Sequence, residues 1–242
     1  TDLTEVNLAA ADQSVDTPTN NFCTMNPLVN YLPAHSFSQG NNVITTTNTS
    51  ETYNMSTMGV SKGKWYFEAL LDGSTYSIYS QIGIASEAGR DQYDYIGQDS
   101  WSYGCGWDNT GGTRMSMGGS RVDTDLGDTY TGGDILGCYM DLDNNKLYFA
   151  KNGTIQNSGT GLSITAPASV PNGNYFFCIG DRHSDDSIWY CNFGATPFGD
   201  TAVSSGNTDA NGYGNFEYDP SSGTFDGSSK DFLAICTKNL GS

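Results

Sequence analysis

ILGCYMDLDNNKLYFAKNG, residues 135–153, is the stretch from which the fold class is read. Leu136, Cys138, Met140 and Leu142 alternate along it and fall on one face of an extended chain, because successive strand side chains point to opposite sides. Asp143-Asn144-Asn145-Lys146 breaks the alternation, and Asn tolerates the positive φ that a tight hairpin turn needs. Leu147-Tyr148-Phe149-Ala150 returns as the partner strand, and Lys151-Asn152-Gly153 supplies a second turn. The unit is a β-hairpin with one face directed at a core.

Working outward, the same period recurs. In residues 64–71, KWYFEALL, the side chains of Trp65, Phe67, Ala69 and Leu71 share a face. Strands are predicted over 43–47, 53–58, 79–85, 101–107, 113–117, 175–180, 187–193 and 232–236. Residues 199–230 are rich in Gly, Ser, Asn and Asp and read as a long surface loop. No stretch keeps a 3.6-residue apolar period. Fifteen Tyr, 11 Phe and 30 Gly complete the composition of an all-β, two-sheet antiparallel β-sandwich. One domain over residues 1–242 is expected, with the C-terminal strand joining the sheet beside the N-terminal segment.

Charge restricts the partners. Asp and Glu total 27 against 10 Lys and Arg, a formal charge of −17. Such a field repels phosphate backbones and anionic bilayers, so neither nucleic acid nor membrane is an expected partner. The six cysteines form no CxxC pair, which speaks against zinc. Cys138, Cys178 and Cys191 lie within apolar strand patterns and read as small buried hydrophobes. Thr1-Asp2-Leu3-Thr4-Glu5 lacks the features of a signal peptide, and no run is long enough to span a bilayer. Asn48, Asn54 and Asn152 head N-x-Ser/Thr triplets and are read as chance.

Taken together, several motifs resemble the SPRY family. Gly63-Lys64-Trp65-Tyr66-Phe67-Glu68 resembles its opening strand and Ile82-Gly83-Ile84-Ala85 the next one. Gly133 to Cys138, Asp141-Leu142-Asp143 and Leu147 to Gly153 resemble its central hairpin. Asn192-Phe193-Gly194 with Pro197-Phe198 resembles its closing signature. The resemblance covers about residues 60–198, leaving 1–59 and 199–242 as flanks. It implies a concanavalin A-like jelly roll without catalytic machinery, binding protein or peptide through loops at one end. More loosely, Asp16 to Phe22 and Phe232 to Leu240 resemble the ends of SPRY-containing structural proteins of tailed phages.

Chemistry is sparse. Asp141-x-Asp143-x-Asn145 imitates the start of a calcium loop, but Lys146 and Asn152 stand where an EF-hand needs Gly and Glu. No metal and no cofactor are expected. There are two histidines, His35 and His183, no GxSxG elbow and no strand bearing paired acids, so no enzyme is expected. A Cys178–His183 pair is conceivable, although Cys178 belongs to an apolar strand. Asp181, Arg182, His183, Asp185 and Asp186 crowd one turn and could bind a cation or polar ligand, or form a solvated turn with an internal Arg–Asp pair. Tyr93, Tyr95 and Trp107 flank loops and could stack on a glycan or anchor a protein. The expected role is a non-enzymatic structural or recognition module of a tailed-phage virion, made in the host cytoplasm and present in many copies or as a homo-oligomer. Its partners would be other virion proteins, or protein or glycan on the host surface. An intracellular adaptor binding a peptide and a glycan-active enzyme are the alternatives.

Overall fold

The structure is a computed structural model that describes residues 15–30, 35–46, 51–88, 94–108, 112–117, 120–182, 186–195, 198–199 and 201–241, with backbone alone over 107–124. Two antiparallel sheets are stacked face to face. The larger contains β1 (Ser36–Ser38), β2 (Val43–Thr45), β4 (Lys64–Leu71), β9 (Ile135–Asp141), β10 (Lys146–Lys151), β11 (Thr154–Ile155), β12 (Leu162–Ser163), β14 (Ile188–Asn192) and β15 (Leu233–Ala234). Its order is β1-β2-β14-β4-β9-β10-β11, with β12 also on β10 and β15 on β4. The smaller runs β3 (Thr52–Met55), β13 (Phe176–Asp181), β5 (Ser80–Ala85), β6 (Ser102–Asp108), β7 (Gly112–Met117) and β8 (Ser120–Asp125).

The opening hairpin pairs Leu147 with Met140 and Phe149 with Cys138. Asn145 turns it at φ 53°, and Asn152 and Gly153 make the second turn at φ 46° and 78°. The alternating residues Trp65, Phe67, Ala69 and Leu71 of β4, and Leu136, Cys138 and Met140 of β9, all enter the core between the sheets. Phe67 ties the layers together. Its ring lies 4.6 Å from that of Phe193 and 5.2 Å from that of Phe177 on β13. Each ring so buried contributes roughly 2–3 kcal/mol. All six cysteines are buried and free, as small hydrophobes would be.

The segment 201–230 is irregular and largely exposed, as a surface loop would be, but it is anchored, because Phe216 and Phe225 are buried. It crosses the outer face of the larger sheet and seats Phe216, Phe225 and Phe232 among Tyr66, Tyr139 and Tyr148. The smaller sheet is covered in turn by Ala88 and Ile96 of the β5–β6 connection and by Val29. The strand predicted over 232–236 shrinks to β15, which pairs in parallel with Trp65 and Tyr66 and leads into the short helix Thr237–Leu240. Beyond it β14 takes over the same edge of β4. The backbone amide of Cys23 donates to Ile235 O at 2.9 Å, so the two flanks meet.

Candidate functional site

One end of the sandwich gathers the loop 72–79 between β4 and β5 and residues 181–182 and 186–187, which flank the β13–β14 connection. A buried hydroxyl cluster fastens them. Ser187 Oγ lies 2.6 Å from Ser80 Oγ and donates to Asp181 Oδ2 at 2.9 Å. The amide of Ser77 donates to Ser187 Oγ at 2.8 Å, and Thr46 Oγ1 accepts from the amide of Ser187 at 2.9 Å. Above this cluster, Arg182 N donates to Tyr79 O and Ile188 N to Thr75 O. Loop 72–79 and the described residues beside it are therefore anchored on buried, hydrogen-bonded groups.

The candidate residues divide accordingly. Asp181 has no exposed surface and belongs to the hydroxyl cluster, so it supports the turn instead of facing a partner. Arg182 reaches across to the β5–β6 connection, its guanidinium 4.8 Å from the centroid of Tyr95. Two residues that are far apart in sequence thus form one cation–π contact. Asp186 is exposed. Of Trp107 the structure describes the backbone, in β6 opposite Thr113. Tyr93, His183 and Asp185 lie outside the described residues, and with them any Cys178–His183 pair. Cys178 itself is fully buried, and burial pushes its thiol well above the ordinary range.

Two further residues stand out. Tyr76 and Ile78 are each 38% exposed, among the few large apolar side chains of the described residues that face solvent. Tyr76 is held in position by Thr131 Oγ1, which donates to its hydroxyl at 2.7 Å. Gly132 packs against it: a Cβ there would stand 2.5 Å from the Tyr76 ring and 2.4 Å from Asp72 O. Asp72 closes the loop by accepting from Ser74 N, Thr75 N and Tyr190 Oη. Burial pulls its pKa upward, but these donors outweigh it and hold the carboxyl below its ordinary value. Alternation had placed the signal in view, since Tyr76 and Ile78 sit two apart after the turn residues Asp72-Gly73-Ser74.

The carboxylates of the calcium-like motif are engaged by the chain's own cations. Asp141 accepts from Lys230 at 2.7 Å and Asp143 from Lys64 at 2.9 Å. Among the described residues, no three His, Cys, Asp or Glu side chains are grouped to hold a metal ion. The opposite end of the sandwich carries an open groove of about 370 Å³ between Val60, Trp65, Asp143, Leu233 and Leu240.

Comparison with known proteins agrees with this architecture. Residues 64–179 match the family model of the SPRY domain. The ATP-dependent RNA helicase DDX1 of Xenopus laevis is 30% identical over 123 residues, which are 50% of this chain and 14% of that protein. The SPRY domain of human HERC1 superposes with a TM-score of 0.53 at 14% identity, covering 69% of this chain and 96% of that one. Stonustoxin superposes at 0.51 and 14% identity, over 70% of this chain and 28% of its own. The hairpin, the β4 motif and the two-sheet stack converge with these matches on one conclusion: residues 64–179 of this chain are a SPRY domain.

Proposed function

We propose that the chain is a non-enzymatic recognition module that docks a protein partner through the loop end bearing Tyr76, Ile78 and the Arg182–Tyr95 pair. The observation that carries this reading is the exposure of Tyr76 and Ile78 on a loop fixed by the buried Ser77–Ser187 hydrogen bond and by the Thr131 bond to Tyr76. Rigid, exposed aromatic and aliphatic side chains are the material of interface hot spots, because little entropy is lost when they are covered. The formal charge of −17 favours a partner segment bearing Lys or Arg. A photo-crosslinking residue at position 76 is expected to trap a discrete protein partner, while the same group at Asn174, near the opposite end, traps none. Equal labelling from both positions would overturn the reading.

The finer proposal places the module on a tailed-phage particle, in many copies, facing other virion proteins or a host-surface protein or glycan. Its support is the resemblance of the two flanks to SPRY-containing phage proteins. Mass spectrometry of purified particles tests it, and absence of the chain from them refutes it. The alternative is an intracellular adaptor that binds a protein or peptide partner. A partner trapped from cells that carry no phage would select that reading.

A further inference from the structure

The segment 201–236 is held to the outer face of the larger sheet in part by a buried carboxylate. Glu68 projects from β4 on the outer face of the larger sheet and has no exposed surface. Its Oε1 accepts from Glu217 N and from Asn192 Nδ2, both at 2.8 Å. Its Oε2 accepts from Tyr66 Oη at 2.7 Å and from Tyr218 N at 3.3 Å. Two of these four donors are backbone amides of the covering segment, so Glu68 is a clip between the sheet and its cover. None of the four carries a positive charge.

The contrast with Asp141 is instructive. That carboxylate is buried under the same segment, but Lys230 of the segment enters with it at 2.7 Å. Docking therefore takes two carboxylates out of water and brings a cation to one of them. A buried carboxylate with no cation beside it is costly even when hydrogen-bonded, and protonation removes the buried charge. We propose that residues 201–236 form a proton-linked latch, seated on the tyrosine face while Glu68 carries a proton and loosened once Glu68 ionises.

The groups facing Glu68 leave it as the one that changes charge near neutrality. Tyr66 on its own strand and Tyr139 on β9 are raised by burial and stay neutral. Tyr218 on the segment is likewise raised by burial. Glu217 lies on the segment too, but its carboxyl accepts from Ser204 and Ser205, which outweigh its partial burial and hold it below its ordinary value. Asn192 on β14 does not titrate. Burial lifts Glu68 itself to about 7, with the four donors offsetting only part of the rise. In the open state Glu68 meets water and returns to the ordinary carboxylate range. A group raised in the closed state favours closure below its open-state value, and that advantage is gone once pH has passed its closed-state value. Opening therefore increases as pH rises from about 4.5 to about 7 and levels off beyond. Release would bare Tyr66, Tyr139 and Tyr148 and free Phe216, Phe225 and Phe232.

Hydrogen exchange of residues 213–220, corrected for intrinsic rates, tests the latch on the whole chain between pH 5 and 8. Protection of the Glu217 and Tyr218 amides is expected to fall about tenfold or more between pH 5 and 7 and then to level off. In Glu68→Gln, which keeps an acceptor for Glu217 N and never ionises, protection is expected to be high and independent of pH. Wild-type protection that does not change with pH, or an unchanged slope in Glu68→Gln, would overturn the proposal. Should that variant not fold, the carboxyl carbon resonance of Glu68 in the wild-type protein decides: a midpoint in the ordinary carboxylate range refutes the latch, one near 7 supports it.

Discussion

Lys230 Nζ stands 2.7 Å from Oδ2 of Asp141, a carboxylate with no exposed surface, and donates also to Tyr148 Oη at 2.9 Å. The pair joins the covering segment to the end of β9, where Asn144 also donates to Asp141. Removing the cation would leave a buried charge without a counter-ion. Lys230→Met is expected to lower unfolding free energy by about 3–5 kcal/mol, measured by urea denaturation at pH 7.5. Adding Asp141→Asn should recover a large part of the loss, because the stranded charge goes with it.

Phe225 tests whether 199–230 is structural. Its ring lies 5.1 Å from both Tyr139 and Tyr148 and 4.9 Å from Phe232, and it is fully buried. Phe225→Ala is expected to cost about 3–5 kcal/mol by chemical denaturation. A true surface loop would tolerate the change within about 0.5 kcal/mol.

His35 sets an acid limit. Both ring nitrogens are buried without a hydrogen-bond partner, and burial lowers its pKa to about 4. A depressed group contributes stability that is present above its unfolded value of about 6.5 and is lost as pH falls through about 4. The His35 contribution to unfolding free energy should therefore fall between pH 6.5 and 4, by on the order of 2 kcal/mol, read as the difference between wild type and His35→Phe in urea. His35→Phe should flatten that part of the profile. Its sign is opposite to that of Glu68, so the two single variants separate the contributions.

Gly132 separates loop geometry from global stability. It carries only a hydrogen where a methyl group would clash with Asp72 O and the Tyr76 ring. Gly132→Ala is expected to shift the 72–79 loop and weaken partner capture at position 76. Tyr76→Ala and Ile78→Ala should each reduce partner affinity by about tenfold or more, with unfolding free energy changed by less than about 0.5 kcal/mol. Binding by titration calorimetry and urea melts on the same samples distinguish the two effects.

What the sequence showed and what it hid follow from the physics of the elements. Strands such as β4 and β9 announce themselves, because a period of two separates Phe67 and Leu71, or Cys138 and Met140, from the opposite face. The cover did not, since residues 199–230 pair with almost nothing in regular register and are held by single phenylalanines spaced among turns. A signal was nevertheless present. Tyr66, Tyr139 and Tyr148 occupy the outward positions of their strands, where a solvated sheet would carry polar residues. The site was half legible for a related reason. Arg182 and Tyr95 were both singled out, but their meeting depends on how the β5–β6 connection folds back. Asp181 looked like part of an exposed acidic turn, yet period two continues through it from β13 and turns it inward.

One edge of β4 is divided between two neighbours: β14 beside Glu68 to Leu71, and Leu233–Ala234 in parallel beside Trp65 and Tyr66. The ribosome delivers Trp65 long before Leu233. Throughout that interval the strand that organises the larger sheet has carbonyls and amides awaiting a partner, a template onto which another nascent polypeptide could pair. Assembly of this sheet consequently waits until Leu233 has been made, and yield in the cell should depend on how well that waiting edge is shielded until then.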